Sequence, residues 1–172
     1  MNFSRRHFVK QASCAAAGSS AGLVAIGQTE REDATPLQIG LRAWMNTLLP
    51  PDDFSPGAGD LGVHFEIEQH AKSIHNYELL LQRGMKWADD QVKAMGKADF
   101  AALDDEDRVK IIEVAEADEA ENSVPRQFFF HTLRDGVNFY YGHSESWPGI
   151  GFPHPPQPIG FPDYARAPDT AP

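Results

Sequence analysis

Cysteine is almost absent from the 172-residue chain: Cys14 is its one thiol, and it falls in the leading segment. The remainder has no disulfide to staple it and no thiolate to hold a metal, so its stability must come from packing. A covalent haem site is excluded because no Cys-x-x-Cys-His run occurs, and no Gly-x-Ser-x-Gly elbow presents an activated serine. Basic residues are scarce. Lys and Arg number 15 against 25 Asp and Glu, a net charge of −10 that disfavours nucleic acid and anionic membrane surfaces as partners. Long apolar runs are missing too. The stretch from Ala12 to Gly27 is mostly Ala, Gly and Ser, with Leu23, Val24 and Ile26 as its large aliphatics, whereas a spanning helix needs about 20 predominantly apolar residues. No alternating strand pattern appears anywhere.

What the chain does have begins with an address. Arg5 and Arg6 stand just before an apolar residue, and an acid-free, weakly hydrophobic stretch follows, the layout of a twin-arginine export signal. Residues 1–27 are read as that signal, cut after Gly27 and handled by the twin-arginine translocase; residues 28–34 are read as a flexible linker, and 35–172 as one domain of a periplasmic protein. Removing Arg5, Arg6 and Lys10 leaves 12 basic residues against 25 acidic, about −13. The route carries folded proteins, and its usual passengers hold a cofactor or travel bound to a subunit that does.

Helical periodicity dominates the domain. Thr35 and Pro36 suit a helix start, and Leu37, Leu41, Trp44, Met45 and Leu48 recur at helical spacing up to Pro50 and Pro51. A loop follows in which Gly57, Gly59 and Gly62 match the dinucleotide-binding fingerprint. Its context rejects that reading, because prolines and aspartates precede it and no strand feeds it; the expectation is a connector with Asp60 capping the next helix. That helix is expected to be long, carrying Ile67, Ala71, Ile74, Leu81, Met85, Ala88, Val92 and Met95, with a break near Gly84 and a stop at Gly96. The acids at 104–107 open a third helix, where they favour the positive end of the macrodipole and need no metal. Asn122 and Ser123 cap a fourth, whose apolar face holds Phe129, Leu133, Gly136, Val137 and Tyr140. The fold class is all-α, a small bundle of about four helices with an extended Pro, Gly and aromatic tail from about residue 143. In that tail, prolines from 148 to 162 exclude helix and central strand, while Trp147, Phe152, Ile159, Phe161 and Tyr164 supply apolar side chains. It lies either on its own domain or on another protein, and Trp147, Phe152, Phe161 and Tyr164, supported by Tyr140 and Tyr141, are the candidate partner interface.

Candidate chemistry is thin. His64, His70 and His75 share the expected long helix with Glu66, Glu68 and Glu78, an arrangement read as helix-surface pairing because Glu-x-x-His does not occur on two helices. His131 and Asp135 stand one turn apart, and a base with its orienting carboxylate is conceivable there. They define the alternative reading: a stand-alone periplasmic binding protein, metal protein or enzyme.

Leu48 to Ala58, the long helix after it, Phe130 with Leu133, Tyr140 to Gly142, Trp147, Gly149 to Pro153 and Gly160 to Pro162 occur in an order that resembles the gluconate 2-dehydrogenase subunit 3 family; His154 to Pro158 departs from the family pattern. The resemblance implies a non-catalytic small subunit with no cofactor, metal or catalytic residue of its own. It would escort a large FAD-binding dehydrogenase subunit of the glucose-methanol-choline type through export and stay bound, with a cytochrome c subunit as an optional third member and membrane association only through the complex. Substrate choice, among gluconate and other sugars, would belong to the large subunit.

Overall fold

The computed structural model describes residues 34–152. Five α-helices follow one another: α1 (Pro36–Leu48), α2 (Val63–Ala71), α3 (Tyr77–Ala94), α4 (Asp105–Ala117) and α5 (Val124–Tyr140). Short 3-10 turns cover Phe100–Ala102, Ser144–Ser146 and Pro148–Ile150. Among the described residues there is no strand, and no helix is long and apolar enough to cross a membrane.

Local chemistry accounts for the starts of the last two helices. Asp104 caps α4 by accepting from the Asp107 N–H at 2.9 Å, and Ser123 caps α5 by accepting from Arg126. The acids of α4 are used locally, Asp105 pairing with Arg108 and Asp107 with Lys110. Two expectations need correction. Asp60 does not cap α2, whose preceding residue is Gly62 in the left-handed region at φ 80°; the Asp60 carboxylate pairs instead with Arg42 at 2.8 Å. The long helix breaks at residues 72–76 rather than at Gly84, which is why there are five helices. There the Ser73 hydroxyl donates to the His70 carbonyl at 2.7 Å, competing with the helix ladder, and Asn76 adopts φ 63°, a conformation its side chain tolerates. Ile74, expected on the apolar face, is exposed in this break.

Gly84 serves close packing. A Cβ there would lie 2.1 Å from Cγ of Phe128, so its absence lets α5 settle onto α3; Gly136 likewise sits against the tip of Met45 on α1. α5 therefore contacts every other helix. At the centre lies Trp44, fully buried, with its ring 4.6 Å from that of Phe128 and 5.4 Å from that of Phe100. Its indole N–H donates to the Thr132 hydroxyl at 2.9 Å, and that hydroxyl donates back to the Phe128 carbonyl at 2.7 Å. The polar atoms at the core's middle are thus satisfied, as burial requires.

The six-residue run that imitates a nucleotide fingerprint has a packing explanation as well. A Cβ on Gly57 would lie 2.4 Å from Asn46 Oδ1, and one on Gly59 would lie 2.3 Å from the Arg42 carbonyl. These glycines lay the loop directly on α1, and the buried Ala58 fills the seam between them.

His64, on α2, is buried, and its Nδ1 meets no hydrogen-bond partner. Burial, and after it the charge of Arg42, lower its pKa from 6.5 to about 4, with Asp60 opposing. The folded protein therefore resists a proton that the unfolded chain accepts. Stability is full above about pH 6.5 and falls as pH drops toward 4, a loss approaching about 3 kcal/mol. Urea unfolding across this window should show that slope, and His64→Leu should flatten it; an unchanged slope in the variant would place the titration elsewhere.

Candidate partner interface

Two loops meet at one end of the domain, 50–57 after α1 and 141–152 after α5. The first is a tight turn built by Asp52, whose Oδ1 accepts the backbone N–H groups of Phe54 and Ser55, both at 2.7 Å. This leaves the Phe54 ring standing out, 72% exposed. The buried Ser55 hydroxyl joins the loops: it accepts from the Gly149 N–H at 2.9 Å and donates to the Ser146 carbonyl at 3.2 Å. Gly149 is the residue that permits this approach, since a Cβ there would lie 2.6 Å from Ser55 Oγ and 2.8 Å from Asp52 Oδ2. Two further bonds complete the clasp. The Tyr140 hydroxyl donates to the Pro56 carbonyl at 2.9 Å, and the Trp147 indole N–H donates to the Tyr141 carbonyl at 2.9 Å.

The result is a rigid edge with apolar side chains outside it. Phe54, Tyr141, Ile150 and Phe152 are exposed, while Asp52, Asp53 and Glu145 add acidic groups. The tail up to Phe152 is not extended as expected; it coils into two 3-10 turns, and the Phe152 N–H closes on the Trp147 carbonyl at 3.0 Å. Trp147 is half-buried. Tyr140 lies in the core beneath the edge, with Tyr141 against it at a ring separation of 5.1 Å. Phe161 and Tyr164, like Arg5 and Arg6, lie outside the described residues.

The alternative site takes a different shape from its expectation. The Asp135 carboxylate bonds Arg134 Nε at 2.7 Å and faces His70 Nε2 at 4.0 Å, while the His131 ring lies against Tyr77 and its Nδ1 meets no partner. Burial pushes the Asp135 carboxyl up, but Arg134 and then Tyr77 outweigh it and hold it below the usual range. The histidines of α2 do not pair along their own helix either. His70 reaches across to α5, and Glu66 Oε1 lies 3.0 Å from His143 Nε2. Among the described residues, no three His, Cys, Asp or Glu side chains are grouped to hold a metal ion.

Residues 40–153 match the family described as gluconate 2-dehydrogenase subunit 3. The chain belongs to that family. No curated protein and no solved structure matches it.

The span shared with the subunit 3 family starts inside α1 and ends one residue past Phe152, so both loops of the clasp fall within it. Phe54 was missed as a surface candidate although its setting is readable: a phenylalanine after two aspartates, in a proline-bounded turn, has no helix face to bury it. Ser55 gave no signal, because its two bonds reach residues more than 90 positions away.

Replacing Ser55 with Ala leaves the Gly149 N–H without its acceptor and Ser146 without its donor. Stability should fall by about 1–3 kcal/mol, read by urea unfolding, and the Gly149 amide should exchange with deuterium markedly faster. Unaltered exchange at Gly149 would show that the clasp is held by other contacts.

Proposed function

We propose that this chain is the small subunit of a gluconate 2-dehydrogenase-type complex in the periplasm. It escorts a large FAD-binding subunit through twin-arginine export and remains bound to it, with the sugar chemistry carried by the large subunit. Membership of the subunit 3 family across residues 40–153 is the observation that carries this reading. Two features support it. Arg5 and Arg6 open a segment laid out as a signal for folded cargo. The clasp edge holds Phe54, Tyr141, Ile150 and Phe152 outward on a backbone tied down by hydrogen bonds, and a preorganised aromatic side chain loses little freedom on docking. In this reading a protein pocket with a basic rim receives Phe54 between the acidic groups of Asp52, Asp53 and Glu145.

Gentle purification from the native periplasm should bring down a stoichiometric large partner with the two-banded absorption of a flavin; a lone, colourless chain would sink the reading. Phe54→Ala should weaken the complex by about 2 kcal/mol or more, roughly 30-fold in Kd, if the ring fills a hot-spot pocket. Equal affinity would move the interface away from the clasp. Changing both Arg5 and Arg6 to Lys should strand a large subunit lacking its own signal in the cytoplasm, and normal export of both chains would remove the escort role.

A further inference from the structure

The four outward side chains of the clasp edge are a small surface for holding a partner. Phe54, Tyr141, Ile150 and Phe152 are exposed by 40–72%, and with a large side chain worth about 150–250 Å², covering all four would bury about half of the roughly 800 Å² that each side of a stable complex contributes. The rest of the interface must adjoin them. Most other exposed apolar side chains stand singly: Ile39 on α1, Phe65 on α2 and Leu79 on α3, while Val109 and Val114 on α4 are five positions apart and face different ways.

α5 differs. Phe130, Arg134, Val137 and Tyr141 step by four, three and four, so they share one face, and Tyr141 keeps helical geometry where α5 ends. Phe130 is 46% exposed and the Arg134 side chain 56%, with Val137 half-buried after them. This stripe spans about 16 Å and finishes on a ring that already belongs to the clasp edge. Its charge is opposite to that of the edge. The Arg126 guanidinium lies over the Phe130 ring, 4.9 Å from its centroid, and Arg134 Nε donates to Asp135 at 2.7 Å. That bond uses one of the five guanidinium N–H groups and fixes the plane in which the others point, which makes Asp135 a positioning residue. Asp135 itself is sealed from the surface, so a partner meets guanidinium and ring. An arginine held this way loses less freedom on binding than a free one, and its fork matches a carboxylate.

We propose, resting on the small-subunit reading, that the large subunit seats on this face of α5 as well as on the clasp edge, and that Arg134 receives one of its carboxylates beside an apolar strip covering Phe130. The large subunit is then basic around Phe54 and acidic along α5. A surface of one sign cannot satisfy both, so the pair of charges fixes the orientation in which it docks.

Dissociation of the purified periplasmic complex on dilution, measured with each variant chain, tests this. Phe130→Ala should weaken the complex about tenfold. Asn138 is exposed one turn after Arg134 and takes no part in its bond to Asp135, so it reads the sign of the facing charge. Asn138→Glu should weaken the complex by up to about fivefold and Asn138→Lys should strengthen it, both less so in high salt. Equal affinity in Phe130→Ala, or Asn138 variants that bind alike or in the reverse order, overturns the proposal while the complex itself stands. A wild-type chain that brings down no large subunit overturns the small-subunit reading first. Unchanged affinity, with the free chain destabilised alike by Phe130→Ala and by removal of residues 153–172, would assign the face to the chain's own tail; a dimer of the free chain broken by Phe130→Ala would assign it to a second copy. Either result also overturns the proposal.

Discussion

The close approach of α5 to its neighbours governs this domain. Phe128 can lie flat over α3 only because Gly84 has no Cβ, and once it lies there its ring meets Trp44. Trp44 in turn brings a buried N–H that must be satisfied, and Thr132, one turn further along α5, satisfies it. Glycine within a helix costs about 1 kcal/mol relative to alanine, yet filling this one would overpack the centre of the core, which typically costs about 1–3 kcal/mol. The packing gain outweighs the propensity loss. The helix continues through Gly84, and the break lies at 72–76, where Ser73 bonds back to the His70 carbonyl and Asn76 turns left-handed.

Fixing α5 also fixes what leaves its end. Tyr140 is buried at the last turn, and its hydroxyl reaches the loop after α1, so the chain that exits at Tyr141 is delivered beside Ser55. The clasp follows from this placement. Ser55 spends its donor and acceptor on Ser146 and Gly149, just as Thr132 spends its own on Trp44 and the α5 backbone. These buried hydroxyls are consumed by structure, and what the edge turns outward is ring and carboxylate.

The all-α class, the ends of α1, the acidic start of α4 and the Ser123 cap were legible because each rests on neighbours within one turn. So was the loop character of the Gly57 to Gly62 run, which needed only the prolines and aspartates before it. Other features depend on partners far away in sequence. Gly84 reads as a breaker until Phe128 is placed on it, and Asp60 reads as a cap until Arg42 is seen beside it. The histidines of α2 show the same limit: spacing pairs Glu66 with His70, whereas the fold sends Glu66 to His143 and His70 toward Asp135. At the clasp, periodicity placed Tyr140 on the apolar face of α5 and so in the core, while its aromatic character suggested surface; periodicity was the better guide.

In the proposed reading, the construction of this small acidic domain serves docking. Its edge is organised by backbone hydrogen bonds at Asp52 and Ser55, so the backbone that carries the exposed Phe54 is already set. The net charge of −10 over the full chain opposes association between copies through mutual repulsion. In the proposed reading, attraction to a basic-rimmed pocket and repulsion from other copies arise from the same carboxylates. Specificity of this kind needs both terms, since an apolar edge alone would stick to any other. Asp52 illustrates the economy: one oxygen organises the turn that presents Phe54, and the carboxylate as a whole adds the negative charge that a basic rim would complement.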